Sequence, residues 1–391
     1  MSRPAALTAI VGAERLFDGE AWHEGAALLV ADGIVTGIVP EDAIPAEAGR
    51  QRLEGGLIVP GLVDLQVNGG GGVQFNDAPD LEAIRTILAA HAAAGVTALL
   101  PTLITDSPAI TARALAAGAE AARLELPGFL GLHLEGPHLA LSRKGAHDPA
   151  LIRPMEPADR DALIAARPSL PHLIVTVAAE TVPPEQIAAL AAAGITVSIG
   201  HSDAGYTMVE AAASAGASMV THLFNAQSQM LNREPGVVGA ALGLGSLWAG
   251  IIADGIHVHP AALDVAMRAK RGPGRVFLVS DAMAPAGTDI KSFTLNGRTI
   301  TRADGALRLA DGTLAGADLT LIEAVRFVHR RLALPLEEAL RMASLYPAQA
   351  IGASARHGHL RRGARADFVH LSSDLVPLST HIAGVPMVPR P

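Results

Sequence analysis

The chain contains no cysteine, which excludes disulfides, thiolate nucleophiles and cysteine-ligated zinc together. Any metal it binds must therefore be held by nitrogen and oxygen. Aromatic residues make up only 3% of it, too few for a platform on which bases or glycans could stack. Basic runs are missing as well, and the formal net charge is −8. Nucleic acid, a polyanion bound chiefly through Lys and Arg, is not an expected partner. Long apolar runs are scarce. One uncharged stretch, residues 236–253, reaches 18 residues but carries five glycines. It reads as a glycine-broken loop and helix feeding a buried strand, not as a bilayer span. The N-terminal segment has one arginine before a short apolar stretch, a poor match to a secretory leader. The expectation is a soluble, cytoplasmic protein with no membrane partner.

What is present suits a large globular chain. The 391 residues are half apolar and 17% charged, enough for one large domain plus a small one. An alanine-rich helix, a glycine and a strand-like stretch recur, closing at Gly95, Gly194 and Gly216. Glycine suits the left-handed residue after a helix, and the repeat predicts parallel β/α architecture. Apolar runs predict strands near Leu62–Val67, Val96–Leu103, Phe129–Glu135, Leu173–Ala179, Ile195–Gly200, Ser218–His222, Leu247–Asp254 and Arg275–Ser280. Eight such units make a (β/α)8 TIM-like barrel. An open doubly wound sheet would also alternate, but no G-x-G-x-x-G follows the first strand.

Both ends read as short alternating strands, with Asp32-Gly33 as a hairpin turn. They predict a small β-sandwich built from the two termini. The expected division is 1–56 and 356–391 for the sandwich, and 57–355 for the barrel. A hairpin around Asp304-Gly305 is expected at 293–310, after strand eight, with helices at about 318–334 and 336–351.

Four strands end on side chains with metal or acid–base chemistry. Glu135, His201 and His222 close strands three, five and six. Imidazole nitrogen and carboxylate oxygen form a borderline-hard set suited to a first-row divalent ion. Any one of them alone would be an ordinary polar residue at a strand end, but three at one rim are a candidate metal site. Asp281 closes strand eight and is the candidate general acid/base; its alternative is a helix N-cap. His147, on a loop over the same face, could donate to a developing oxyanion. Gln66 and His133 are candidates for groups that support the ligands. Arg233 and His257 look like an anion clamp, although Arg233 could instead pair with Glu234.

Together, these segments resemble the N-acetylglucosamine-6-phosphate deacetylase family of the amidohydrolase superfamily. The pieces that carry the resemblance run in order along the whole chain. They include Pro60-Gly-Leu-Val-Asp-Leu-Gln-Val-Asn-Gly69, His133-Leu-Glu-Gly-Pro137, Lys144-Gly-Ala-His147, Gly200-His-Ser-Asp203, Thr221-His-Leu-Phe-Asn-Ala226, Arg233-Glu-Pro-Gly236 and Val279-Ser-Asp-Ala282. The resemblance implies that Glu135, His201 and His222 bind the metal, and that Asp281 is the acid/base. It implies that His147 polarises the acetyl carbonyl. It places Asn225, Ala226, Arg233 and His257 around a sugar phosphate, with Arg233 reaching in from the neighbouring subunit of a homodimer. Many superfamily members carry His-x-His at the end of strand one and bind two metals. This chain has Gln66-Val-Asn68, and amides are weak ligands for transition metals. One divalent ion per subunit is expected, zinc first, with iron, cobalt or manganese as substitutes. The implied reaction is deacetylation of N-acetylglucosamine 6-phosphate. Alternatives are the N-acetylgalactosamine sibling, another single-metal amidohydrolase, or a non-catalytic binding protein that kept the fold.

Overall fold

The protein is described here from a computed structural model, over residues 6–387. Residues 1–5 of the N-terminal segment, read above for a leader, lie outside the described residues.

Eight parallel strands form one sheet. They are β1 (Leu62–Val67), β2 (Val96–Ile104), β3 (Leu132–Glu135), β4 (Leu173–Val177), β5 (Thr196–Ile199), β6 (Met219–Val220), β7 (Trp248–Ile251) and β8 (Val276–Leu278). Each pairs with its sequence neighbour. The sheet closes on itself where the chain beyond β8 meets β1: Asp281 N donates to Gln66 O at 3.0 Å and Asn68 N to Ala282 O at 2.8 Å. The strands fall where the apolar runs placed them. Burial on both faces explains why they read as nearly continuous apolar runs; β1 and β2 are buried at every position.

Gly95, Gly194 and Gly216 end their helices with φ of 90°, 80° and 114°, as the repeat required. The uncharged run at 236–253 resolves into a short helix, Gly236–Gly243, and strand β7. No helix among the described residues is long and apolar enough to cross a membrane.

The barrel interior holds a polar chain as well as aliphatic layers. His133 on β3 shares a hydrogen bond with Thr176 on β4 at 2.7 Å, and Thr176 continues to Thr221 at 2.7 Å. Thr221 then meets Ser198 on β5 at 2.6 Å. Each polar group is satisfied by the next, so the chain sits inside the barrel without an unpaired donor.

Two further sheets come from the termini, the first from N-terminal strands alone and the second from both ends of the chain. One has the spatial order 34–40, 26–31, 8–11, 49–52; the other runs 385–386, 377–382, 368–371, 57–60, 15–17, 22–24. Ile10, Leu16, Leu28, Ile58 and Phe368 form a separate core shared by these sheets. Leu57–Pro60 hydrogen-bonds within this sandwich and leads directly into β1.

Two regions differ in detail from the sequence expectation. The insert after β8 is a four-stranded antiparallel sheet, Ser292–Leu295, Arg298–Ala303, Ala306–Arg308 and Leu314–Ala317, larger than a single hairpin. Asn296-Gly297, with φ of 49° and 72°, supplies a further turn of the type that favours hairpins. The expected helix at 336–351 divides into Leu336–Met342 and Leu345–Ala350. The break lies where Ala343 gives its carbonyl to Val63 N of β1 at 2.9 Å instead of to a helical turn.

Candidate metal centre and active site

Glu135, His201, His222 and Asp281 leave the barrel at the carboxyl ends of β3, β5, β6 and β8. Three of them hold left-handed backbone, with φ of 47° at His201, 28° at His222 and 50° at Asp281. Non-glycine residues avoid this region at a cost of about 1–3 kcal/mol each. Strain repeated at one rim marks a place where side-chain direction matters more than local comfort. Asp281 is not a helix N-cap: no helix begins between it and Leu321.

The side chains converge. His222 Nε2 lies 2.9 Å from Glu135 Oε1, His201 Nε2 lies 3.2 Å from the same oxygen, and the two Nε2 atoms are 3.1 Å apart. All three residues are buried. His201 Nδ1 donates to Arg143 O at 2.8 Å, so its Nε2 presents a lone pair to the others. Very few protons can sit among three acceptor atoms this close, whereas one cation serves all three. Ligands about 2.0–2.2 Å from a tetrahedral ion stand about 3.4 Å from one another, close to the spacing here. The three residues therefore fit a divalent ion.

His147 also brings a ring nitrogen near, and the ligand atoms of Glu135, His147 and His201 lie within 4.8 Å of one another. Hydrogen bonding argues for His222 as the third ligand instead. His147 Nδ1 faces the Thr105 hydroxyl at 2.8 Å and the Thr105 N–H at 3.4 Å. The backbone N–H can only donate, so Nδ1 holds the lone pair and Nε2 carries the proton. Nε2 lies 3.9 Å from Glu135 Oε2, beyond hydrogen-bond reach. His147 is thus a donor facing the cavity.

Burial and neighbours set the charges. Burial pushes the Glu135 carboxyl up, but the His201 and His222 imidazoles beside it outweigh burial and hold the group well below the usual range. For His222, burial opposes protonation, yet the Glu135 carboxylate beside it raises its basicity overall. Asp281 goes the other way. Burial and then the Glu135 charge push it up to about 6. A carboxyl that titrates near neutrality can both accept and return a proton.

The amides of Gln66 and Asn68 are engaged as donors. Gln66 Nε2 donates to Glu135 Oε1 at 3.2 Å and Asn68 Nδ2 to Asp281 Oδ1 at 2.7 Å. They orient the two carboxylates where His-x-His would bring ligands. His133 lies deeper, donating from Nδ1 to Leu65 O at 3.0 Å, and burial lowers its pKa to about 4. It bonds strand to strand and no metal-site side chain.

Glu135, His147, His201, His222, Asp281 and Asn68 open into a cavity of about 330 Å³, whose walls also include Asn225, Ala226 and His257. His257 Nδ1 bonds Asp254 Oδ2 at 2.6 Å, which leaves Nε2 for a ligand. Arg233 is exposed and is not part of the wall. It does not pair with Glu234, whose carboxylate accepts from Tyr206 N at 2.7 Å and Gly236 N at 2.9 Å. Sequence reasoning assigned no role to Asn68, Thr105 and Asp254. Only Asp254 had a local signal, its three-residue spacing from His257.

A family model described as the amidohydrolase family matches residues 57–387. The chain belongs to the amidohydrolase family. Among relatives, it is 42% identical to an N-acetylgalactosamine-6-phosphate deacetylase of Shewanella sp. (strain ANA-3), covering 92% of this chain and 91% of the relative. It is 34% identical to an N-acetylglucosamine-6-phosphate deacetylase of Haemophilus influenzae, covering 92% and 93%. The crystal structure of N-acetylglucosamine-6-phosphate deacetylase from Pasteurella multocida superposes with a TM-score of 0.93 at 34% identity, over 97% of this chain and 99% of that one. The closed eight-stranded barrel with its terminal sheets is thus the fold of amidohydrolases whose names are amino-sugar-phosphate deacetylases.

Proposed function

We propose that the protein is a metal-dependent deacetylase of N-acetylglucosamine 6-phosphate, releasing acetate and glucosamine 6-phosphate. The observation that carries this reading is the pairing of a Glu135–His201–His222 cluster with Asp281 and a proton-bearing His147 around one cavity. Glu135, His201 and His222 would hold one divalent ion, zinc first and iron, cobalt or manganese as substitutes. When bound, that ion supplies Lewis acidity to a carbonyl oxygen and to water.

The chain's own residues perform the proton chemistry. Asp281, oriented by Asn68, takes a proton from the attacking water. His147 Nε2–H donates to the acetamide oxygen as that oxygen gains charge. Asp281 then returns the proton to the departing sugar amine, and the carbon–nitrogen bond breaks. Asn225, Ala226 and His257 would hold the phosphate. Arg233 would complete that site from the neighbouring subunit; its exposure, beside Met230 at 55% and Leu231 at 65% exposed, supports a homodimer at this loop. A cytoplasmic location suits a phosphorylated sugar substrate.

The galacto epimer is a second reading, favoured by the 42% identity to the Shewanella enzyme. Acetate release from N-acetylglucosamine 6-phosphate, N-acetylgalactosamine 6-phosphate and both unphosphorylated sugars tests this. The expected result is turnover of a 6-phosphate at least about 10²-fold above its neutral counterpart, the loss anticipated when polar groups set to bind an anion have nothing to bind. A galacto preference selects the second reading, and equal turnover of phosphorylated and neutral sugars contradicts both.

The pH profile follows from Asp281. As a base it must be ionised, and its carboxyl stands at about 6; a cation beside Glu135 draws it lower. The acid limb of kcat/KM is therefore expected at or below about pH 6, with activity falling roughly tenfold per unit beneath it. An acid limb at or above pH 7 would contradict the assignment.

A further inference from the structure

The four-stranded insert at 292–317 is not needed to close the barrel, yet its first turn forms part of the cavity. Leu295 is fully buried and lines it. Asn296 and Arg298 flank the turn glycine, and each reaches a carbonyl on a different segment. Asn296 Nδ2 donates to Thr105 O at 3.5 Å, and Arg298 Nη2 donates to Ala146 O. Thr105 is the residue that holds His147 Nδ1, and Ala146 immediately precedes His147. One turn of the insert therefore touches both peptide segments that set the imidazole.

Packing reinforces the contact. Leu295 belongs to a small apolar cluster with Ile104, Met283, Ile300, Leu307 and Ala315, and Ala146 packs against it. Arg298 Nε is buried without a partner, which costs stability. A guanidinium kept at that cost is explained by what its other end holds. The loop's further side-chain tethers lie three or more residues earlier: Arg143 Nε donates to Asp203 Oδ1 at 2.8 Å, Ser142 Oγ to Asp203 Oδ2 at 3.4 Å, and His201 Nδ1 to Arg143 O at 2.8 Å. None of these holds the peptide next to His147.

We propose that Arg298 is a positioning residue for His147: from the inserted sheet it fixes the Ala146 peptide, and so keeps Nε2–H aimed at the substrate carbonyl. This rests on the deacetylase reading above. Misplacing a catalytic group by about 1 Å can cost on the order of 10²-fold in rate.

The test is a double-mutant cycle of Arg298→Met, which keeps an apolar stem, with His147→Gln, measured on whichever 6-phosphate the wild type turns over. Arg298→Met alone is expected to lower kcat about 10–100-fold, with KM and bound metal near wild type. Arg298→Lys, able to reach the same carbonyl, is expected to recover part of the loss. In the His147→Gln background the Arg298→Met change is expected to cost less than about threefold, as coupled residues do. Wild-type kcat in Arg298→Met, or an equal loss in both backgrounds, overturns the proposal. If Arg298→Met does not fold, Arg298→Gln run through the same cycle gives the same comparison. A wild type inactive on every sugar phosphate is a different failure, that of the deacetylase reading, and it takes this inference with it.

Discussion

Asp281→Asn is expected to lower kcat by roughly 10²–10⁴-fold, the usual worth of a positioned acid/base, while metal binding is retained. The amide nearly preserves shape, and the backbone bonds from Asp281 N to Gln66 O at 3.0 Å and from Ala317 N to Asp281 O at 2.9 Å are untouched. What is lost is the group that takes up and returns the proton. Asn68 Nδ2, now 2.7 Å from a carboxylate oxygen, would face an amide oxygen or, after a flip, an opposing amino group. The result to look for is normal folding and metal content with turnover nearly absent. Near-normal turnover would remove Asp281 from the mechanism.

Glu135→Gln is expected to act earlier, on the metal itself. Among the described residues, Glu135 is the only carboxylate that contacts both His201 and His222, and it is buried with them. Its carboxyl is held well below the usual range by those two partners after burial has pushed it up. The amide removes the charge that offsets a dication in a buried site. Metal affinity is expected to fall by more than the roughly 10–100-fold typical of a lost supporting bond, and activity to fall with it. Metal analysis after dialysis separates this variant from Asp281→Asn: metal is lost in the first and kept in the second. If both variants keep full metal, the ligand set is wrong.

Much of this was legible in the sequence because a parallel barrel puts its chemistry at strand ends. Strand β3 runs Leu132–Glu135 and stops at the proposed ligand; β5, β6 and β8 stop two, two and three residues before His201, His222 and Asp281. An apolar run ending on Glu, His or Asp is therefore both a strand and a site signal. The groups that orient those side chains carry no such signal. Thr105 follows β2 and meets His147 across 42 residues, and Asn68 meets Asp281 across 213. Pairing of β2 with β3 brings the first two together, and closure of the barrel brings the second two together. The insert was underestimated for a similar reason. Its last strand, Leu314–Ala317, has too little alternation to read as a strand, and it forms by pairing with Ala306–Arg308. Arg233 was legible as a charge in a motif, but a single chain does not carry it to the cavity.

One divalent ion at Glu135, His201 and His222 is proposed to support deacetylation of an amino-sugar 6-phosphate. A titration of metal-free protein with zinc, following acetate release from N-acetylglucosamine 6-phosphate and its galacto epimer, tests this. No turnover is expected without metal, and a rise that saturates at one equivalent per chain. Full activity without metal, or a rise that continues to two equivalents, would contradict a single-ion site.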